Sequence, residues 1–346
     1  MARKRVNKNL VAFLTVMGIL LTVVVVLIAT ALSANQDPEI WATQARERLA
    51  TEEYQLAADL FVRAYAKSKD VKYLVEAADC YYRAGRPNAL FPLLTTARNA
   101  SDRGAPGHLE AVKAYLKYAW NLAEPYRYWQ LDPEWRSNLL QCAQDLQQAD
   151  AEDPLGSVTE AAARLAMAAE DPQERVQGEA ALQRAISLNE NAPWVVLTRI
   201  QHELHETEAR LARLVQERAP LAEREKLEAD FNRQAREWLS AAVAANPTER
   251  KLITEYVGLL QSEKKVAEAR AVLDRALSQA PEAADIHATM ANFLLWQARD
   301  ARSELSAEEY AGLLDEAVKH SVEATRLSPG MFQAYIAQVQ AELMRD

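Results

Sequence analysis

Four neighbouring residues, His202, Glu203, His205 and Glu206, come nearest to the spacing of a catalytic site in this chain. In many zinc hydrolases two histidines on one helix bind the metal and the glutamate after the first is the general base, but that arrangement needs histidines four residues apart. Here the spacing is three, and Leu204 belongs to an apolar stripe that turns both histidines toward the flank of the helix. We therefore expect a solvated helix flank and no metal site.

Other reactive side chains are scattered. The remaining histidines have no paired carboxylate or cysteine nearby: His108, His287 and His320. No glycine-rich phosphate loop or nucleophile elbow occurs. Cys80 and Cys142 form no CxxC pair; a disulfide is chemically allowed outside the cytoplasm, but Cys80 lies beside Ala77 and Ala78 in helical sequence, which favours a buried apolar role. The sequence therefore predicts no enzyme, no cofactor and no metal.

Aromatic residues concentrate in one short stretch that also contains Pro125 and Pro133. Its members are Tyr115, Tyr118, Trp120, Tyr126, Tyr128, Trp129 and Trp135. Aromatic side chains offer a large contact area at low entropy cost, so such a cluster suits binding of peptide side chains or stacking on sugars. It equally suits packing where neighbouring helices fail to stack regularly. Packing is the favoured interpretation, and a glycan- or cell-wall-binding module is the alternative function.

The helices expected to carry these side chains follow a 34-residue period. It shows in two matching sets of residues: Ala235, Leu239, Ala242 and Pro247, then Ala269, Leu273, Ala276 and Pro281. Apolar residues at i, i+4 and i+7 mark one packed face of a helix, and the proline ends the unit. A fixed repeat of that face predicts stacked helical hairpins rather than one enclosed core. The same phase returns at Ala57, Phe61 and Ala64 and at Ala317, Ala324 and Pro329.

This pattern resembles the tetratricopeptide repeat (TPR), which has an aromatic residue early in its first helix, alanines in its second and a closing proline. Trp41, sixteen residues before Ala57, matches the early aromatic position. The resemblance covers residues 38–346. It implies an all-α, right-handed superhelix of about seven helical hairpins, completed by a capping helix at 331–345. It also implies a concave face, formed by the first helices of successive hairpins, that binds extended segments or helices of other proteins.

The resemblance assigns residues to that concave face by their phase. They are Tyr73, Glu76, Arg83, Lys251, Thr254, Gln261, Asp285, Asn292 and Trp296. These residues include both charges, amides and aromatic rings and form no groove of a single sign, so they do not single out a ligand. The chain has a formal charge of −9, and its first 34 residues hold four bases and no acid, so the remainder carries −13. Such an acidic domain repels phosphate backbones, which argues against nucleic acid as a partner.

The segment 10–34 contains no charged residue. As a helix it would reach about 37 Å, enough to cross a hydrocarbon core of about 30 Å, so we predict a transmembrane helix embedded in a lipid bilayer. Bases precede it at Arg3, Lys4, Arg5 and Lys8, which predicts a cytoplasmic tail at 1–9 and an extracytoplasmic repeat domain. A cleaved signal peptide is the alternative, but the apolar run is longer than a usual signal core.

Resemblance to bacterial inner-membrane repeat proteins then implies a scaffold for envelope assembly, export or quality control on the extracytoplasmic side of the inner membrane. A weak pair of small residues, Gly18 and Thr22, gives no argument for a transmembrane dimer.

Two insertions interrupt the repeat phase. The first adds 23 residues between Glu190 and Pro247, and its apolar stripes on either side of Pro220 predict a hairpin at 194–246 lengthened into a short antiparallel coiled coil. The second surrounds Ser306, whose spacing to Glu309 predicts a new helix start. The last segment has large apolar residues on one side and polar residues on the other, which suits a solitary helix covering the end of the stack. Those apolar residues are Phe332, Tyr335, Ile336, Val339 and Leu343.

Overall fold

The structure, a computed structural model, describes Met17 and residues 37–103 and 105–345. Within these residues the chain forms fifteen α-helices, one short 3₁₀ helix and no β-strand, in agreement with the predicted all-α class. The predicted basic tail and transmembrane helix lie outside the described residues, apart from Met17. None of the helices in the described part is long and apolar enough to cross a membrane.

The helices follow one another in seven consecutive pairs and a final single helix. They are α1 (Pro38–Ala50), α2 (Tyr54–Ser68), α3 (Lys72–Arg83), α4 (Pro87–Ala100), α5 (Pro106–Leu122), α6 (Pro133–Ala149), α7 (Pro154–Met167), α8 (Pro172–Leu188), α9 (Pro193–Gln216), α10 (Leu221–Ala245), α11 (Arg250–Ser262), α12 (Val266–Gln279), α13 (Ala284–Asp300), α14 (Ala307–Leu327) and α15 (Phe332–Arg345). The 3₁₀ helix Tyr128–Gln130 lies between α5 and α6. The chain divides into two compact units between Tyr118 and Ala119, inside α5.

Helix starts are set by capping side chains and by prolines. Asp37, Asp153 and Asp171 each accept a hydrogen bond from a backbone N–H in the first turn that follows, and in each case a proline comes next. A proline at the first helical position sacrifices no hydrogen bond, because that N–H would have no partner within the helix. Ser306 and Glu309 form a reciprocal capping box at the start of α14, which confirms the predicted helix start.

The repeated alanine and leucine positions are the core of the regular repeats. Ala235, Leu239 and Ala242 in α10 are at most 2% exposed, and so are their counterparts 34 residues later in α12. Small residues at these positions let adjacent helices approach closely, and α11 packs on both α10 and α12. The 34-residue period therefore predicts correctly which positions of these helices are buried. Cys80 and Cys142 are likewise buried, and neither forms a disulfide.

The predicted lengthened hairpin is formed by α9 and α10, which have 24 and 25 residues and pack on each other. Leu211, Leu214, Leu227 and Phe231 are half-buried along this pair. At its tip Val215 and Leu221 are exposed. We call residues 209–230 the arm. The apolar side chains of the arm therefore remain partly exposed along the pair.

The terminal helix α15 packs on α13 and α14 through a face that the sequence pattern did not indicate. Its buried residues are Ala334, Ala337 and Ala341, whereas its five large apolar residues, from Phe332 to Leu343, are between 39% and 73% exposed. The interpretation that the large residues cover the end of the stack is wrong. The surface offered by α13 and α14 includes Ala288 and Ala324, and a stripe of alanines is what allows α15 to approach it closely.

Candidate functional site

A groove of about 480 Å³ runs along α11, α13 and α15 in the second unit. Five of the nine residues predicted for the concave face line it: Thr254, Gln261, Asp285, Asn292 and Trp296. Thr254 and Asn292 are exposed, and the other three are half-buried. The structure brings these residues together because helices one repeat apart present equivalent positions to the same side of the array.

Side-chain amides dominate the polar surface of this groove. Gln261, Asn292, Gln333 and Gln340 line it, and each amide carries both a hydrogen-bond donor and an acceptor. The charged lining residues pair with each other, with Arg250 Nε 3.3 Å from Asp285 Oδ2. The groove is therefore close to neutral and rich in groups that can pair with peptide N–H and C=O.

An aromatic surface lies beside the amides. The indole of Trp296 is half-buried and stacks on the buried ring of Phe293, with centroids 6.2 Å apart and an interplanar angle of 29°. Val257 and Ile336 add aliphatic surface to the same groove. This combination can hold an apolar side chain of a ligand while the amides bind its backbone.

Lys251 does not face the groove, contrary to its assignment by phase. It is 5% exposed, and its ammonium donates to the carbonyl oxygens of Trp120 and Asn121, both at 3.2 Å, and to Glu124 Oε1 at 2.9 Å. The ring centroid of Tyr126 is 5.3 Å away. Burial lowers the pKa of Lys251, while the hydrogen bond to Glu124 opposes that shift. The residue joins α11 to the last turn of α5, where helix carbonyls have no intrahelical donor.

The three concave-face residues predicted in α3 are engaged with neighbours in the first unit. Tyr73 is 3% exposed and donates to Glu39 Oε2 at 2.7 Å. Glu76 pairs with Arg46 at 3.3 Å, and Arg83 forms an ion pair within α3 itself. Tyr73 is thus a packing residue that ties α3 to α1, whereas the other two are partly exposed and remain candidates for partner contact.

Most of the aromatic cluster is packing. Tyr115, Tyr118, Trp120, Tyr126 and Tyr128 are each at most 4% exposed, Trp135 is half-buried, and Trp129 is 40% exposed.

The buried members satisfy their polar atoms. In the first unit the Tyr118 hydroxyl donates to Asp79 at 2.7 Å. In the second, Trp120 Nε1 donates to Thr159 Oγ1 at 3.0 Å, and its ring stacks on Trp194 with centroids 5.3 Å apart. Such hydrogen bonds are what large amphipathic rings need inside a core.

A smaller pocket of about 340 Å³ surrounds the exposed member, Trp129. The His205 ring stacks on Trp129 with centroids 5.6 Å apart and an interplanar angle of 11°. The Tyr128 hydroxyl lies 3.1 Å from His202 Nδ1, and Arg175 pairs with Glu206 at 2.7 Å. Burial lowers the pKa of His202. His205 is exposed on the flank of the helix as predicted, whereas His202 is half-buried because the 3₁₀ helix covers it.

This pocket shows what the sequence did not reveal. Tyr128 and His202 stand 74 positions apart in the chain, and no repeat phase relates them. Across the described residues, no three His, Cys, Asp or Glu side chains gather in a way that could hold a metal ion.

No family model matches this chain, and no curated protein matches it either. Among solved structures it is similar to a tetratricopeptide repeat protein from Parabacteroides merdae ATCC 43184, with a TM-score of 0.46 and 11% identity over 89% of this chain and 100% of that one. It is also similar to TTC0263, a thermophilic TPR protein of Thermus thermophilus, with a TM-score of 0.37 and 15% identity over 79% of this chain and 99% of that one. It is similar as well to human IFIT1, solved as a dimer with m7Gppp-AAAA, with a TM-score of 0.44 and 14% identity over 90% of this chain and 65% of that one. Similarity at this level concerns the arrangement of helices and assigns no function to the chain.

Proposed function

We propose that this chain is a membrane-tethered TPR scaffold that binds an extended segment of another protein in the groove of α11, α13 and α15. The observation that supports this function is the groove itself, in which four side-chain amides border a stacked tryptophan and the lining charges pair with each other. An extended segment exposes backbone N–H and C=O groups along its length, whereas a helix has already satisfied its own. The amides therefore favour an extended ligand with an apolar side chain at Trp296.

Photo-crosslinking in cells tests this groove. A photoreactive residue at Gln261 should give a defined crosslinked product, and the same residue at Glu268, which is exposed on α12 outside the groove, should not. Adding Trp296→Ala to the Gln261 probe should reduce the product about tenfold or more, because truncating an aromatic anchor typically removes more than about 1.4 kcal/mol of binding free energy. Equal products from both probe positions would contradict the proposed groove.

The membrane tether completes the proposal. It rests on the uncharged segment 10–34 and the four bases before it, which together favour a cytoplasmic N-terminus and a repeat domain outside the bacterial inner membrane. There the scaffold would serve envelope assembly, export or quality control.

Fusion reporters test the orientation. A C-terminal alkaline phosphatase should be active and a C-terminal fluorescent protein dark. The reverse result would refute this topology, and a mature chain beginning near residues 32–35 would show that the segment is cleaved instead.

A glycan-binding module is a second candidate because Trp129 keeps 40% of its surface exposed in a pocket that also contains Glu206 and Arg175. Pyranose rings stack on exposed tryptophan, and charged side chains can bind their hydroxyls. A soluble cell-wall polysaccharide should then quench tryptophan emission, and Trp129→Ala should abolish the quenching. Unchanged emission at saturating polysaccharide would remove this candidate.

A further inference from the structure

The five large apolar side chains of α15 form one exposed stripe at the end of the array, which we call the terminal stripe. It consists of Phe332, Tyr335, Ile336, Val339 and Leu343. Together they expose on the order of 500 Å² of surface, as large as the largest apolar patches of typical soluble monomers. A surface of this size on one helix indicates an interaction site rather than scattered exposure.

The repeat phase indicates what kind of element covers the stripe. Counted from the closing prolines, Val257 in α11 and Ala291 in α13 occupy the position that Val339 occupies in α15. Val257 and Ala291 are at most 3% exposed and lie in helices followed by another helix that packs on them, whereas Val339 is 57% exposed. The same holds for Leu295 at 2% and Leu343 at 70%. Val339 and Leu343 therefore occupy helix-packing positions, and among the described residues no further helix packs on them.

We infer that a second copy of this chain supplies that helix, through an antiparallel α15–α15 pair about a two-fold axis. The stripe is complementary to itself in this arrangement. With the axis between Ile336 and Val339, these two residues face each other across the pair, and Phe332 faces Leu343 of the second copy. A two-fold contact requires such self-complementarity, since both copies use the same surface.

Charges agree with the same register. Glu342 falls opposite Gln333 of the second copy, and Arg345 falls opposite Gly330, so no charge meets a like charge. Glu342 also approaches the N-terminal turn of the opposite α15, where a negative charge is stabilised by the free N–H groups of the helix. A parallel pair would instead place the Glu342 carboxylates side by side.

The area is sufficient for a stable pair. Complete burial of both stripes would remove on the order of 1,000 Å² of apolar surface from water, which reaches the size of about 1,000 Å² that a specific interface needs. Ile336, Gln333 and Gln340 also line the groove of the proposed function, so a paired α15 would share that edge of the groove. Phe332, Val339 and Leu343 do not line it, so substitutions at these three positions test the pairing without changing the groove lining.

The mass of the full chain tests this inference. In detergent micelles at micromolar concentration, light scattering corrected for detergent should give two copies per particle. Leu343→Glu should weaken the dimer by about a hundredfold or more, because each interface contains this residue twice. Val176→Glu is a matched control, since Val176 is 69% exposed on α8 and should leave the dimer intact. Leu343 is itself 70% exposed, so helical circular dichroism and melting should be unchanged in both variants.

Cysteine crosslinking in membranes tests the register. A chain carrying both Phe332→Cys and Leu343→Cys should form a disulfide-linked dimer on mild oxidation, whereas either substitution alone should not. The two sites lie about 16 Å apart along one helix, too far to bridge within a chain. The native thiols of Cys80 and Cys142 are buried. A monomeric wild-type chain, a dimer that survives Leu343→Glu, or equal crosslinking of the single variants would each overturn the inference.

Discussion

Two regions of the second unit bury apolar side chains in different ways. In the regular repeats, α10 and α12 present the same Ala–Leu–Ala set 34 residues apart, and size alone determines the fit. In the irregular segment after Ala119, large rings are buried with polar atoms that need individual partners, such as Trp120 with Thr159 and Tyr128 with His202. The regular contacts can be repeated indefinitely, whereas each irregular contact occurs once and joins positions far apart in the chain.

This difference predicts that the irregular segment is the more sensitive to substitution. A substitution at a repeat contact removes only buried apolar area, and it destabilises only the neighbouring helices. A buried ring with a hydrogen bond loses area, leaves a cavity and strands its partner.

Trp120→Ala is expected to give the largest loss. Trp120 is fully buried, stacks on Trp194 and donates to Thr159, so its removal should lower the free energy of unfolding of residues 36–346 by about 3–5 kcal/mol. Urea denaturation followed by circular dichroism measures this. Trp129→Ala, at an exposed ring nine residues away, should cost less than about 1 kcal/mol. Similar losses for both would show that the irregular segment is not a specific core.

Lys251→Met is expected to have the next largest effect. It keeps apolar bulk but removes the buried hydrogen bonds that the ammonium donates to the carbonyl oxygens of Trp120 and Asn121, at a cost of about 1–3 kcal/mol. The same substitution at Lys264, whose ion pair with Asp300 is largely exposed, should cost less than about 0.5 kcal/mol. If Lys251→Met left the free energy of unfolding unchanged, the ammonium would not stabilise the contact between α11 and α5.

These sites also show how far the sequence could predict the fold and the groove. The period placed Ala269 and Asn292 correctly, on a packed face and in the groove, because both properties depend only on position within a repeated hairpin. It failed for Lys251, since phase identifies a helix face but not a segment 130 positions away that covers it. It failed for α15 because alanines carry little hydrophobic signal and yet pack most closely.

One polar contact in the regular region should make stability depend on pH. His287 Nε2 lies 2.9 Å from the carbonyl oxygen of Pro281 and must donate to it, so His287 Nδ1 accepts from His320 Nδ1 at 2.9 Å. Burial, then the neighbouring His287, lowers the pKa of His320, while Glu316 opposes this and Arg270 and Lys319 add to it.

The sign of the dependence follows from proton binding. With the pKa of folded His320 below its unfolded value of about 6.5, the unfolded chain binds more protons in the window between the two. The stability should therefore fall as the pH drops from about 6.5 through the lowered pKa, and this contribution should stay constant below it. His320→Gln should show a smaller loss of melting temperature between about pH 8 and about pH 5 than the wild type. Equal losses would mean that His320 does not titrate in this window.

The smallest effect is expected from removing the arm. Its apolar residues contribute little buried surface, since Leu211, Leu214, Leu227 and Phe231 are only half-buried. At its base, by contrast, the Arg199 guanidinium lies over the Trp238 ring at 3.8 Å, and Val195 to Leu197 are buried. Replacing residues 209–230 with a short glycine-containing turn keeps that base, and the repeat phase resumes at Ala235 as before.

The main unfolding transition of this variant should stay within a few degrees of the wild type, because each repeat contacts only those beside it and the arm lies outside those contacts. Differential scanning calorimetry measures this, and crosslinking from the Gln261 probe reports separately whether the arm assists partner binding. A large drop in melting temperature would mean that the arm stabilises the array. That result would contradict the difference drawn between the regular and irregular regions, because an insertion that preserves the repeat phase would then be part of the core.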